Sequence, residues 1–76
     1  MAVITEPREL TYRYAYTAAG LTEYIGVAEA GASEGDAVWK ITKFVYSGTN
    51  VSQQIWCDGD IQFDNTWTGY TAHSYS

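Results

Sequence analysis

Cys57, His73 and the aspartates Asp58, Asp60 and Asp64 are the residues whose types could do chemistry, and their spacing limits what that chemistry is. A cysteine nucleophile needs a nearby base and an electropositive setting that favours the thiolate. Cys57 stands beside Asp58 and Asp60, whose charge raises a thiol's pKa, so it reads as a small buried thiol in a strand. His73, close to the C-terminus, reads as a surface or interface residue. Calcium loops supply carboxylates at alternate positions with a glycine at the sixth, but counting from Asp58 the fifth residue is Gln62 and the sixth Phe63. The aspartates therefore read as turn residues bonding their own backbone. A glycosidase pair needs two carboxyls about 5–9 Å apart in a cleft, and a unit this small offers little depth for one. A structural zinc site takes four ligands, whereas this chain offers Cys57 and His73, and a lone cysteine excludes an internal disulfide. The expectation is a chain that is not an enzyme, with no catalytic residues, no metal and no cofactor.

The elements that position these residues are extended. Leu10, Tyr12, Tyr14 and Tyr16 alternate with Thr11, Arg13 and Ala15, the period of a half-buried strand. Thr17 to Gly20 turns the chain, and Leu21 to Ala28 gives a second extended run in which Gly26 marks a bulge or a close backbone approach. Glu29 to Asp36 is small, polar and acidic and reads as a long loop, with a short helix over Glu29 to Ala32 as the weaker alternative. Trp39 to Tyr46 and Val51 to Trp56, rich in β-branched and aromatic residues, flank Ser47-Gly48-Thr49-Asn50 as a β-hairpin. Asp58-Gly59 suits a type I′ turn, which would return Asp60 to Phe63 alongside Val51 to Cys57. Asp64 to Trp67 reads as one helical turn and Tyr70 to Tyr75 as a last edge strand. Residues 1–9, with Pro7 barring a central strand position, read as an N-terminal arm. The fold expected is all-β: residues 10–76 form one domain, a small antiparallel sandwich or partly open barrel of five to six strands with an extended N-terminal arm.

A chain of 76 residues buries only about 60% of its unfolded surface, and small domains in that position usually lean on disulfides, a metal or a partner. With the first two set aside, burial against a partner remains. The net charge of -5, with all the basic residues (Arg8, Arg13, Lys40, Lys43) in the first 43 positions, disfavours nucleic acid, whose phosphates call for clustered Lys and Arg. No apolar run approaches the roughly 20 residues that span a bilayer, and Met1 to Pro7 lacks the pattern of a signal peptide. Use or assembly in a cytoplasm, without a membrane, is expected.

Seven tyrosines and three tryptophans are a surplus for so short a chain. On a sheet they serve as sugar-stacking platforms, or as core and protein interface, where Tyr and Trp are enriched as hot spots. The need for external burial favours the second. Tyr12, Tyr14, Trp39, Trp56, Trp67 and Tyr70 are the candidate interface or binding residues. Asn50-Val51-Ser52 matches the glycosylation sequon and is read as chance.

Tyr24-Ile25-Gly26 with Ala28, Trp39-Lys40-Ile41 with Lys43-Phe44 and Tyr46, Trp56 with Asp58-Gly59, Phe63-Asp64 with Trp67, and Tyr75-Ser76 carry a further signal. In this order they resemble a group of very short, virion-associated proteins encoded by tailed bacteriophages. The resemblance covers Tyr24 to Ser76, with Met1 to Leu21 matching less well. After Trp67 similar proteins often continue with acidic residues and an Arg, whereas this chain has Thr68-Gly69-Tyr70, so any ion pair made by that Arg is missing. The resemblance implies a non-enzymatic virion structural protein without cofactor, and a capsid decoration or minor head protein is the first expectation. Its partners would be other virion proteins, major capsid or tail proteins, with homo-oligomerisation or assembly-dependent folding, in a virion assembled in the host cytoplasm. A tail or tail-fibre accessory subunit, a carbohydrate-binding adsorption module and a small infection factor acting on a host protein are the rival expectations.

Overall fold

The computed structural model describes residues 9–76. Four strands, β1 (Leu10–Tyr16), β2 (Thr22–Glu29), β3 (Lys40–Ser47) and β4 (Asn50–Trp56), pair with their sequence neighbours in one antiparallel sheet. The remaining regular element is a single 3-10 turn, Tyr70–Ala72. The all-β expectation holds, but the sheet is open and has four strands rather than five or six, with no second sheet among the described residues to make a sandwich or barrel. The residues of the expected arm other than Glu9 lie outside the described part.

The turns follow from local chemistry. Ser47 pairs with Asn50 around Gly48-Thr49, and Gly48 alone takes a positive φ (66°), the demand of a type II′ hairpin at its first central residue. Asp58 (φ 60°) and Gly59 (φ 71°) both lie in the left-handed region, and the Asp60 N–H donates to the Cys57 carbonyl, which makes the expected type I′ turn. The segment after this turn departs from expectation: Asp60 to Phe63 form no strand beside β4. The long loop is neither free nor helical. Asp36 and Ser33 exchange bonds (Asp36 N–H to Ser33 C=O, 3.0 Å; Ser33 N–H to Asp36 Oδ2, 3.0 Å), and the indole Nε1 of Trp39 donates to the Ser33 carbonyl at 2.9 Å.

Register assigns the side chains to faces. Ala15, Tyr24 and Lys43 form one cross-strand row and Arg13, Gly26 and Ile41 the next, all on the face covered by the C-terminal segment. That cover has no sheet regularity. Trp39 and Asn65 exchange backbone bonds of 2.7 and 3.0 Å, Cys57 and Tyr75 form an isolated bridge, and the Tyr75 hydroxyl donates to the Tyr70 carbonyl. The expected last strand is thus reduced to a bridge, because Tyr70–Ala72 wind into the 3-10 turn that lays Tyr70 on Trp67 and Tyr24, with ring centroids 4.5 and 4.8 Å apart. The core so enclosed is Tyr24, Ala28, Trp39, Ile41, Cys57 and Trp67.

Candidate interaction surface

Cys57 has the environment of an inert thiol. Burial first, then the charges of Asp58, Asp64 and Asp60, push its pKa up from 9.0 to about 11. Burial likewise raises the Tyr75 phenol. His73 is engaged elsewhere, its Nε2 donating to the Thr66 carbonyl at 2.9 Å. Asp60 makes the backbone bond expected of a turn aspartate, its Oδ1 accepting from the Gln62 N–H at 2.9 Å, whereas Asp64 Oδ1 accepts from the Asn65 side chain at 3.1 Å.

The other sheet face is where the chain keeps large apolar side chains in the open. Alternation sends Leu10, Tyr12, Tyr14 and Tyr16 to the face opposite the core, where they are 44–60% exposed. The register extends this stripe across the sheet. Tyr14 stands opposite Ile25, Ile25 opposite Thr42 and Thr42 opposite Trp56, one row spanning all four strands. Tyr12, Val27 and Lys40 form the adjacent row. The Lys40 ammonium lies 5.1 Å from the Trp56 ring centroid and 5.7 Å from that of Phe63, so the one lysine of this row is held over aromatic faces. The Tyr12 and Tyr14 rings are close to parallel (13°), with centroids 6.3 Å apart.

The candidate residues divide between the two faces. Tyr12 and Tyr14 are exposed on the open face, and Trp56 is half-buried there. Trp39 (0% exposed) and Trp67 (7%) are core residues, which corrects the expectation that they form a surface, and Tyr70 packs half-buried against them. The physical reason is Gly26. Its missing side chain leaves a gap that the Trp67 ring fills, and Trp39 packs beside it. The glycine in mid-strand was the available signal, and close backbone approach is its correct reading. Ile25, Val27, Phe44 and Phe63 join the open face although the sequence reading did not place them there. For Phe44 the signal was available, because it alternates with the inward residues of β3, while Phe63 reaches the face from an irregular segment with no period to read.

The chain matches no family model, no curated protein and no solved structure. Among the described residues, no group of three or more His, Cys, Asp or Glu side chains is placed to hold a metal ion. No helix among them is long and apolar enough to cross a membrane. The open face of the sheet is aromatic and sparsely charged.

Proposed function

We propose that this chain is a non-enzymatic structural subunit of a tailed-phage particle, a capsid decoration or minor head protein that docks through the open face of its sheet. The observation that carries the docking role is the Tyr14, Ile25, Thr42, Trp56 row with the exposed tyrosines of β1 beside it, on the sheet face that the C-terminal segment does not cover. The phage setting is what the resemblance of Tyr24 to Ser76 implies. Its virion partners would cover the open face and supply the burial that the second sheet of a sandwich supplies elsewhere.

Quantitative mass spectrometry of purified particles tests this, counting the chain against the major capsid protein. Copies in the hundreds support capsid decoration, a few to some dozens place the protein on the tail or a vertex, and absence overturns the structural reading. The near-parallel Tyr12 and Tyr14 rings favour one alternative, a sugar platform used in adsorption. A glycan that perturbs the tyrosine ring signals in NMR would support it, and a host-glycan panel that leaves them unmoved would remove it.

A further inference from the structure

The two edges of the sheet are not alike. Next to β4, Trp56 and Ser76 exchange backbone bonds of 3.0 Å each way and the Asp58 N–H donates to the Ser74 carbonyl at 2.7 Å, so the C-terminal segment closes that end of the edge. At β1, the Ala30 N–H donates to the Glu9 carbonyl (3.1 Å), which turns the backbone of Glu9 toward β2. By antiparallel alternation Thr11 and Arg13 turn the same way, and Leu10, Tyr12 and Tyr14 direct N–H and C=O outward. Among the described residues no backbone group pairs with this outer row. The Tyr12 carbonyl accepts from Arg13 Nη1 at 3.1 Å and keeps a second lone pair.

Soluble sheets guard such an edge with lysine, proline, a bulge or an inward charge. Between Leu10 and Tyr14 the lone charged residue is Arg13, and its guanidinium is drawn over the covered face, 2.8 Å from Glu34 Oε2 and 5.4 Å from the Trp39 ring centroid. The β-bulge of this hairpin lies beyond the segment, between Ala15 and Tyr16.

The geometry points to a second copy of this chain as the occupant, with β1 pairing antiparallel to β1 of its partner about a two-fold axis at Tyr12. In that register Tyr12 faces Tyr12, Leu10 faces Tyr14 and Thr11 faces Arg13, so every outward N–H of Leu10, Tyr12 and Tyr14 finds a carbonyl. Aromatic and apolar side chains meet across the axis on the open face. An axis at Arg13 would set two guanidinium groups opposite each other, which is destabilising, and an axis at Thr11 would leave Tyr14 without a partner among the three outward residues, so Tyr12 is the centre at which Leu10, Tyr12 and Tyr14 pair among themselves. Edge pairing leaves the two open faces exposed side by side. Four strands about 4.8 Å apart and roughly seven residues long make a face on the order of 450 Å², so the joined sheet presents roughly 900 Å² for docking, where a lasting interface takes about 800 Å² from each partner. The pairing goes beyond the proposed docking role, since it is a property of the purified chain and stands or falls without the particle.

Sedimentation velocity from micromolar to submillimolar concentration, on the full chain and on Tyr12→Pro, tests it. Proline is tolerated where the N–H faces outward, so this variant removes a donor of the free edge and none of the β1–β2 ladder. The full chain is expected to form a dimer, and Tyr12→Pro to weaken it at least tenfold with an unchanged circular dichroism spectrum. Should proline unfold the chain, Tyr12→Lys sets like charges opposite each other at the axis and is expected to give the same loss. A full chain that stays monomeric throughout, or a folded Tyr12 variant that dimerises as well as the parent, overturns the proposal. So does a dimer lost on Gln54→Pro at the β4 edge but kept by both Tyr12 variants.

Discussion

Gly26 lies flat against the Trp67 indole: a Cβ placed on it would stand 2.6 Å from Cε3 and 2.8 Å from Cζ3 of that ring, and 3.3 Å from Cε3 of Trp39. Both rings are buried and packed, so neither has room to move aside. Gly26→Ala is expected to destabilise the fold by about 1–3 kcal/mol, the usual cost of overpacking, and Gly26→Val by more. Urea unfolding followed by tryptophan fluorescence measures both, and a Gly26→Ala variant as stable as the parent would contradict the packing described.

Trp67→Ala opens the space above the sheet from the other side. Removing a buried tryptophan costs about 3–5 kcal/mol, a large share of the stability of so small a domain. The expected outcome is a largely unfolded chain at ambient temperature, seen as collapse of amide dispersion in NMR. Tyr14→Ser, on the open face, is expected to stay within about 0.5 kcal/mol of the parent while weakening attachment to particles.

Alkaline pH should loosen the core through Cys57. The thiol pKa is raised from 9.0 to about 11 by burial and by Asp58, Asp64 and Asp60. The folded state therefore holds its proton more tightly than the unfolded state does. This contribution is fully present below about pH 9 and is lost as pH rises toward 11, with an upper bound on the order of 2 kcal/mol. The raised Tyr75 phenol extends the same trend to higher pH. Thermal melts between pH 7 and 11 should show the midpoint falling over the last two units, and a thiol reagent should label Cys57 slowly at pH 8.

Arg13 and Glu34 form an ion pair of 2.8 Å that is 37% and 51% exposed, so the charge pair itself contributes little, about 0.2–1 kcal/mol. Arg13 also stacks on Trp39 and donates to Thr11 Oγ1 and the Tyr12 carbonyl. Arg13→Ala is therefore expected to cost more than Glu34→Gln, by about 0.5–1 kcal/mol. A double-mutant cycle in urea separates the two contributions, and equal losses would show that the stacking contributes nothing.

The regular half of the fold was legible in the residues. The alternation from Leu10 to Tyr16 marks β1 because a solvated strand face must be read every second residue, and Gly48 and Asp58-Gly59 mark turns because positive φ is costly for other residues. The irregular half was not. The segment from Asp60 to Ser76 covers the core through separated anchors, Trp67, Tyr70 and Tyr75, held by single backbone bridges, and such a cover has no period. For the same reason the tryptophans could not be sorted by type. Trp39 and Trp67 go inward and Trp56 outward according to which row of a sheet each meets, a long-range fact that residue identity does not carry. Acrylamide quenching should find one accessible tryptophan, lost on Trp56→Phe.

The placement of Trp67 over Gly26 also bears on how the chain acquires its structure. Strands that pair are neighbours in the sequence, but the ring that seals the covered face comes from beyond β4 and the Asp58-Gly59 turn and is the last of these parts to be synthesised. Until then the nascent sheet is wet on both sides and has two edges able to recruit neighbours. Such long-range closure slows folding and prolongs exposure to aggregation. Expression of this protein should accordingly be sensitive to how quickly the segment that carries Trp67 is delivered, with slow translation there favouring capture by chaperones.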